Sequence, residues 1–294
     1  MKTIDRTIFF LILLIALCSG CSPKVSTNSR IIISSSAPFN PVLKRVEVNP
    51  LLRIAVNIPA GQNEITYKGI QLSINNEAID AIENLEVYFT DTIASFAAKN
   101  KIGIISSMSN KPVIPVNLRL LAGVHYLWLS ASLKENANID VIIDVHAMAL
   151  IDEKNKKQTI SEDGSSFKKR LGIAIRKAGD DKVNTYRIPG ITTTDKGTLI
   201  AVYDIRYNNS KDLPENIDVG MSRSTDGGQT WQPMKVIMDM GAPHENNGIG
   251  DPSILFDPVT KRLWVAALWS KGNHSIAGSE PGLSPDTTGQ FVLV

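Results

Sequence analysis

The sequence predicts an all-β protein, an N-terminal β-sandwich followed by the first blades of a β-propeller. Three observations predict it. Between about residues 42 and 150, apolar residues recur at every second position, which buries one face of a strand and wets the other. Beyond Val183 the strands shorten to four to six residues and are separated by Gly, Asp and Asn turns. Between these strands no long stretch repeats with a helical period.

Taken in order, the chain begins with a targeting pattern. Lys2 and Arg6 precede an apolar run from Ile8 to Leu17, too short to span a bilayer comfortably. Ser19-Gly20-Cys21 follows, and small residues directly before a cysteine resemble a bacterial lipobox. The expectation is a leader over 1–20 and lipid on Cys21, with a soluble secreted protein as the plainer alternative. Leu is usual three positions before such a cysteine, and Cys18 stands there instead. Cys18 leaves with the leader and Cys21 is modified, so the mature protein keeps no disulfide and no cysteine-based metal site. A lipid on Cys21 would hold the chain at an envelope membrane without a spanning helix.

Residues 21–41 are rich in Ser, Asn and Pro and read as a tether. The sandwich is expected over 42–165. Its clearest strands carry Leu52, Ile54, Val56 and Ile58; Ile70, Leu72 and Ile74; Val116, Leu118 and Leu120; and Ile139, Val141, Ile143 and Val145. A helical turn or two fits Ala78 to Leu85 or Ile93 to Lys99. The polar run 152–169 reads as a domain boundary or turn region, and the propeller is expected over 171–294. Asp195-Lys196-Gly197 and Asp257-Pro258 mark turns in it.

A net charge of +2 argues against nucleic acid or a strongly acidic partner, and clusters such as Lys168-Lys169-Arg170 read as solvated loop. The four histidines are scattered, no pair has metal-ligand spacing, and no Gly-rich phosphate loop stands out. No cofactor, nucleotide or metal is expected.

Two motifs carry more. In Ser224-Thr225-Asp226-Gly227-Gly228-Gln229-Thr230-Trp231, Asp226 can accept N–H groups of its own loop, the glycines allow positive φ, and Trp231 can bury its ring where a strand begins. That motif resembles the Asp-box of sialidases and related propellers, which in that family lies on the face away from the active site. Its role is structural. Tyr186-Arg187-Ile188-Pro189 places a cation beside a rigid turn. In this order and spacing the pair resembles the start of a bacterial exo-sialidase propeller, from about Arg176 to Val294. The preceding sandwich is similar to the accessory domain found ahead of some such propellers.

The resemblance implies a retaining glycoside hydrolase, an exo-α-sialidase acting on terminal sialic acid of glycoconjugates through a six-bladed propeller. It implies that Arg187 is one of three arginines gripping the sugar carboxylate, a task suited to a planar guanidinium fork. Arg206 and Asp251 match residues near the sugar 4-hydroxyl. For Arg206 the plain alternative is a salt bridge with Asp204 or Asp218, and for Asp251 a turn before Pro252. Asp212 matches the general acid/base aspartate on a mobile loop, with Glu215 and Asp218 as rivals. The family nucleophile is a tyrosine assisted by a glutamate, an exception to the two-carboxylate pattern. Neither it nor the other two arginines has a matching position here. The chain is expected to be an N-terminal portion, without normal activity alone. The alternative is a non-catalytic glycan-binding envelope lipoprotein using Trp128 or Tyr126 as a stacking platform, although the alternation Val124-Tyr126-Trp128 favours a core face.

Overall fold

The computed structural model describes residues 30–272, 278–284 and 286–294. The expected leader and Cys21 lie outside them. Twelve strands precede Val183. In chain order they are β1 (Ile32–Ser36), β2 (Val42–Lys44), β3 (Asn49–Ile58), β4 (Ile65–Ile74), β5 (Ile82–Asp91) and β6 (Lys101–Ile105). There follow β7 (Val113–Leu120), β8 (Gly123–Leu133), β9 (Ile142–Asp152), β10 (Lys157–Thr159), β11 (Ser161–Glu162) and β12 (Lys168–Ile173). One sheet runs β11-β1-β3-β8-β5-β6 and the other β2-β12-β9-β4-β7, with β10 on β9.

The alternation read in the sequence is what joins them. Leu52, Ile54, Val56 and Ile58 meet Ile70, Leu72, Leu118, Leu120, Ile143 and Val145 in one core between the sheets. Each such side chain contributes about 1.5–3 kcal/mol by leaving water. The ladder of β9 starts at Ile142, after a turn closed by Val141 N–H donating to Asn138 O at 3.3 Å.

Three expectations are corrected. The 21–41 stretch is not all tether, because β1 pairs antiparallel with β3 and buries Ile33 in the core. Leu171 belongs to the sandwich rather than to the second unit, since β12 pairs with β2 and β9 and buries Phe167 and Leu171. A helix forms at Asn76–Ala81, closing onto the core through Ala78 and Ala81, and gives way to β5 at Ile82. The 93–99 stretch is irregular instead, and it lays Phe96 edge-on against Tyr88 and Trp128, with ring centroids 5.7 and 5.5 Å away. Trp128 is thereby only 7% exposed, which removes it as an open stacking platform.

The second unit has a four-stranded antiparallel sheet of β13 (Thr185–Thr193), β14 (Leu199–Arg206), β15 (Ile217–Ser224) and β16 (Lys235–Met238). Beside it lies a sheet of β17 (Asn247–Asp257), β18 (Arg262–Lys271) and β19 (Gln290–Leu293). Val202, Val219 and Met238 of the first pack on Ile249, Val265 and Ala267 of the second, as neighbouring propeller blades do. Arg45 holds the segment that leaves β12 toward this unit, its Nη1 donating to Ala174 O at 3.1 Å and Ile175 O at 2.8 Å. Among the described residues no helix is long and apolar enough to cross a membrane.

Candidate functional site

The site begins with strand register. Arg187 on β13 lies directly opposite Asp204 on β14, and Asp204 and Arg206 are two apart, so the three share one face. At Arg187 the β13–β14 ladder slips, with Ile188 at φ 52° and pairing resumed at Gly190. A β-branched residue rarely adopts that conformation, and a bulge there re-aims the side chain before it. Tyr186 anchors the bend: its hydroxyl donates to Asp180 O at 3.0 Å, and its ring meets Tyr203 edge-on at 5.5 Å. Arg187 itself is exposed and forms no ion pair among the described residues.

Arg206 is the opposite case, 1% exposed. Its Nε and Nη2 donate to Asp204 Oδ2 at 3.1 and 2.8 Å. Its Nη1 donates to Ser210 O at 3.0 Å and Lys211 O at 2.8 Å, and Nη2 also reaches Asp212 Oδ1 at 3.1 Å. A guanidinium has five N–H groups, and these contacts occupy all of them. Arg206 is therefore salt-bridged to Asp204, one of the alternatives open from sequence, and it also holds the loop that carries Asp212. Asp218 is instead buried and accepts the Tyr207 hydroxyl at 2.8 Å, with its carboxyl raised by burial.

Asp251 reaches the group from the second sheet. It sits at φ 53° in a bulge of β17, and its N–H donates to Asp204 Oδ1 at 2.8 Å. Asp204 thus ties the two sheets together, through one oxygen to Arg206 and through the other to the Asp251 backbone. Burial pushes the Asp204 carboxyl up to about 6, against the pull of its bonds to Arg206 and the Asp251 N–H. Burial also raises Asp251, helped by the charge of Asp212 and opposed by Arg206 and Arg187.

Carboxylate oxygens of Asp204, Asp212 and Asp251 lie within 4.8 Å of one another, the one such group of possible metal ligands among the described residues. Arg206 already bonds two of the three, so a fixed cation meets the charge a metal would otherwise balance. The Asp212 side chain is 57% exposed, and Asp251 is open as well, whereas Asp204 is buried. An exposed carboxyl can serve as an acid or a base, and the exposed Arg187, on the same sheet face as Arg206, can bind an anion.

The structure thus brings Arg206, Asp212 and Asp251 into contact or near contact, with Arg187 on the same sheet face. Asp204, which sequence reasoning named only as a salt-bridge partner, is the residue that joins them. Its signal was the two-residue spacing to Arg206 on a strand.

The 224–231 loop lies at the far end of the same strands, since Ser224 pairs with Leu199 and Ile217 with Arg206. Asp226 Oδ1 accepts the Ser224 hydroxyl at 2.7 Å and the Thr230 N–H at 3.0 Å. Trp231 Nε1 donates to Gly228 O at 3.1 Å. These bonds close the loop on itself and leave Asp226 remote from Asp212.

The chain is also similar to known proteins. A family described as the N-terminal domain of BNR-repeat neuraminidase matches residues 30–156. A sialidase of Bacteroides fragilis is 40% identical over 198 residues, covering 64% of this chain and 36% of that protein. A sialidase of Micromonospora viridifaciens is 36% identical over 107 residues, covering 36% of this chain and 16% of that one. Among solved structures, a Hadza microbial sialidase superposes with a TM-score of 0.77 at 29% identity, covering 88% of this chain and 56% of that one. The chain therefore spans well under two thirds of each relative. With that N-terminal domain matched and sialidases aligned across both units, these findings support a member of the bacterial sialidase (neuraminidase) family.

Proposed function

We propose that this chain supplies one side of an exo-α-sialidase site, which hydrolyses terminal α-linked sialic acid from glycoconjugates with retention. The observation that carries the reading is the convergence of Arg187, Arg206, Asp212 and Asp251 at one end of β13, β14 and β17. Arg187 meets the sugar carboxylate, with its guanidinium fork uncommitted and in water. Asp212 protonates the departing glycosidic oxygen and later takes a proton from the attacking water. Bound sugar covers it and brings it within reach of the glycosidic oxygen, as general acid/base catalysis requires.

Asp251 faces the 4-hydroxyl. Arg206 meets the sugar only by exchanging its bond to Asp212, because its other donors are held by Asp204, Ser210 and Lys211. Its standing task is to position the acid. The nucleophile and the remaining carboxylate-binding arginines have no matching position in this chain.

The test is titration of the chain with N-acetylneuraminic acid, followed by calorimetry or NMR. Saturable binding, weakened about tenfold or more in Arg187→Ala, is expected from loss of a charge-assisted bidentate contact. Binding indifferent to Arg187 would count against the reading. A fluorogenic sialoside should not be turned over efficiently by the chain alone, and efficient turnover would overturn the assignment of the nucleophile elsewhere.

The site is proposed to work at the bacterial cell envelope, with lipid on Cys21. Incorporation of labelled palmitate that disappears in Cys21→Ser would support this, and unchanged labelling would refute it.

A further inference from the structure

The junction between sandwich and propeller holds a cavity of about 400 Å³. Lys44, Arg45, Glu135, Arg176, Asp181 and Trp231 are among the residues that line it. That volume falls in the range of small-molecule sites. It lies at the 224–231 end of the blade, remote from Arg206.

The cations lining it are not equivalent. Arg45 donates to Ala174 O and Ile175 O, with Asp180 3.5 Å away. Arg176 donates to the Tyr203 hydroxyl, Ile175 O and Gln232 O, with Asp181 at 3.8 Å. Lys44 is only 3% exposed, and among the described residues its ammonium has neither hydrogen-bond nor ion-pair partner. Its stem is packed among neighbours, while the ammonium, which is not one of the fully buried side-chain atoms left without a partner, opens to the cavity.

Its position is nevertheless enforced. Asn49 is 3% exposed, accepts the Leu43 N–H at 2.8 Å and donates to Leu43 O and Val46 O, both at 3.1 Å. That clamp fixes the turn around Lys44. Trp231 is fixed equally well by its bond to Gly228 O, which uses the indole N–H and leaves the ring faces.

We infer that this junction cavity binds a saccharide bearing a single carboxylate, with Lys44 taking the carboxylate and Trp231 the sugar face. A dianion such as phosphate would need more than one free cation and would meet Glu135 and Asp181. A monoanion needs one, and Lys44 is free. Pyranose C–H groups suit an indole face, and the hydroxyls find the Glu135 carboxylate. The inference goes beyond the sialidase reading and does not depend on it.

The test is NMR titration of the chain with glucuronic acid, with glucose and acetate as controls. Glucuronate should shift the Trp231 indole N–H and the Lys44 and Arg45 amides, at concentrations where neither control does. Lys44→Met should weaken glucuronate about tenfold or more while keeping the folded spectrum. If that variant does not fold, Trp231→Leu should show the same loss.

Absence of glucuronate shifts at the junction would overturn the inference, as would unchanged affinity in a folded variant. Acetate as effective as glucuronate would reduce the site to a simple anion hole, and glucose as effective would remove Lys44 from recognition. Failure of the Arg187 test would leave this result untouched, since the two sites share no residue.

Discussion

Asp204 accepts two hydrogen bonds from Arg206, at 3.1 and 2.8 Å, and neither side chain is more than 1% exposed. The pair is the fixed centre of the site. From it Arg206 reaches the 210–212 loop, and Asp204 reaches the bulge of β17. Breaking such a pair by removing one partner costs about 3–5 kcal/mol, because the other charge is left buried.

Arg206→Lys keeps the charge but not the fork. Lysine has three donors on one atom and cannot reach Asp204, two loop carbonyls and Asp212 together. The loop should loosen while the strands persist. Amide exchange at Leu213, whose N–H donates to Asp212 Oδ1 at 3.0 Å, should accelerate about tenfold or more, equivalent to about 1.4 kcal/mol of local opening. Unchanged exchange would mean that Arg206 does not position Asp212.

Asp204 also sets a pH dependence. Its folded value of about 6 lies above the ordinary carboxylate value of about 3.9. Between these values the folded chain holds the proton more tightly than the unfolded chain does. Unfolding free energy therefore falls as pH rises from about 4 to about 6, and this contribution levels off above that. Asp218 and Asp251, also raised by burial, act in the same sense. Denaturant titrations of the chain and of Asp204→Asn across that window should show a shallower decline in the variant. Parallel curves would assign the slope to other groups.

The sandwich strands were legible because each has one wet face, as Leu52 to Ile58 illustrate. β1 and β12 were not, because Ser34, Ser35 and Ser36 or Lys168, Lys169 and Arg170 read as polar linker. Their place comes from long-range ladders to β3, β2 and β9. Arg206 and Asp212 could be singled out through family likeness. The saturation of Arg206 could not, because it depends on carbonyls of Ser210 and Lys211 that carry no side-chain signal. The empty partnership of Lys44 is equally invisible in sequence, since it follows from how Asn49 folds the preceding turn.

Gly248 is a packing constraint on the same loop. A Cβ added there would stand 2.2 Å from Glu215 O and 2.8 Å from Leu213 Cδ2. The first contact is with backbone, which cannot turn aside as a side chain can. Gly248→Ala should therefore destabilise the chain by about 1–3 kcal/mol, the usual cost of overpacking. It should also displace the 212–216 segment from β17, seen as changed amide shifts confined to that segment. A variant as stable as the parent would show that the loop is not pressed against β17 in solution.

The 224–231 loop predicts a pH effect of opposite sign. Hydrogen bonds from the Thr230 hydroxyl and N–H and from the Ser224 hydroxyl hold the Asp226 carboxyl well below the usual carboxylate range. A depressed folded value stabilises above the unfolded value of about 3.9, and the gain is lost as pH falls below it. Asp226→Ala should lower the melting temperature near neutral pH, and the gap between variant and parent should narrow as pH falls below about 4. Ser224, 1% exposed, would be left without its acceptor, though it still accepts the Gly228 N–H at 3.0 Å. Ser224→Ala should therefore cost stability in the same direction with less dependence on pH, since it removes one bond to Asp226 and leaves both from Thr230. An equal pH dependence in the two variants would show that the Ser224 bond alone, rather than the Thr230 pair, holds the carboxylate charged.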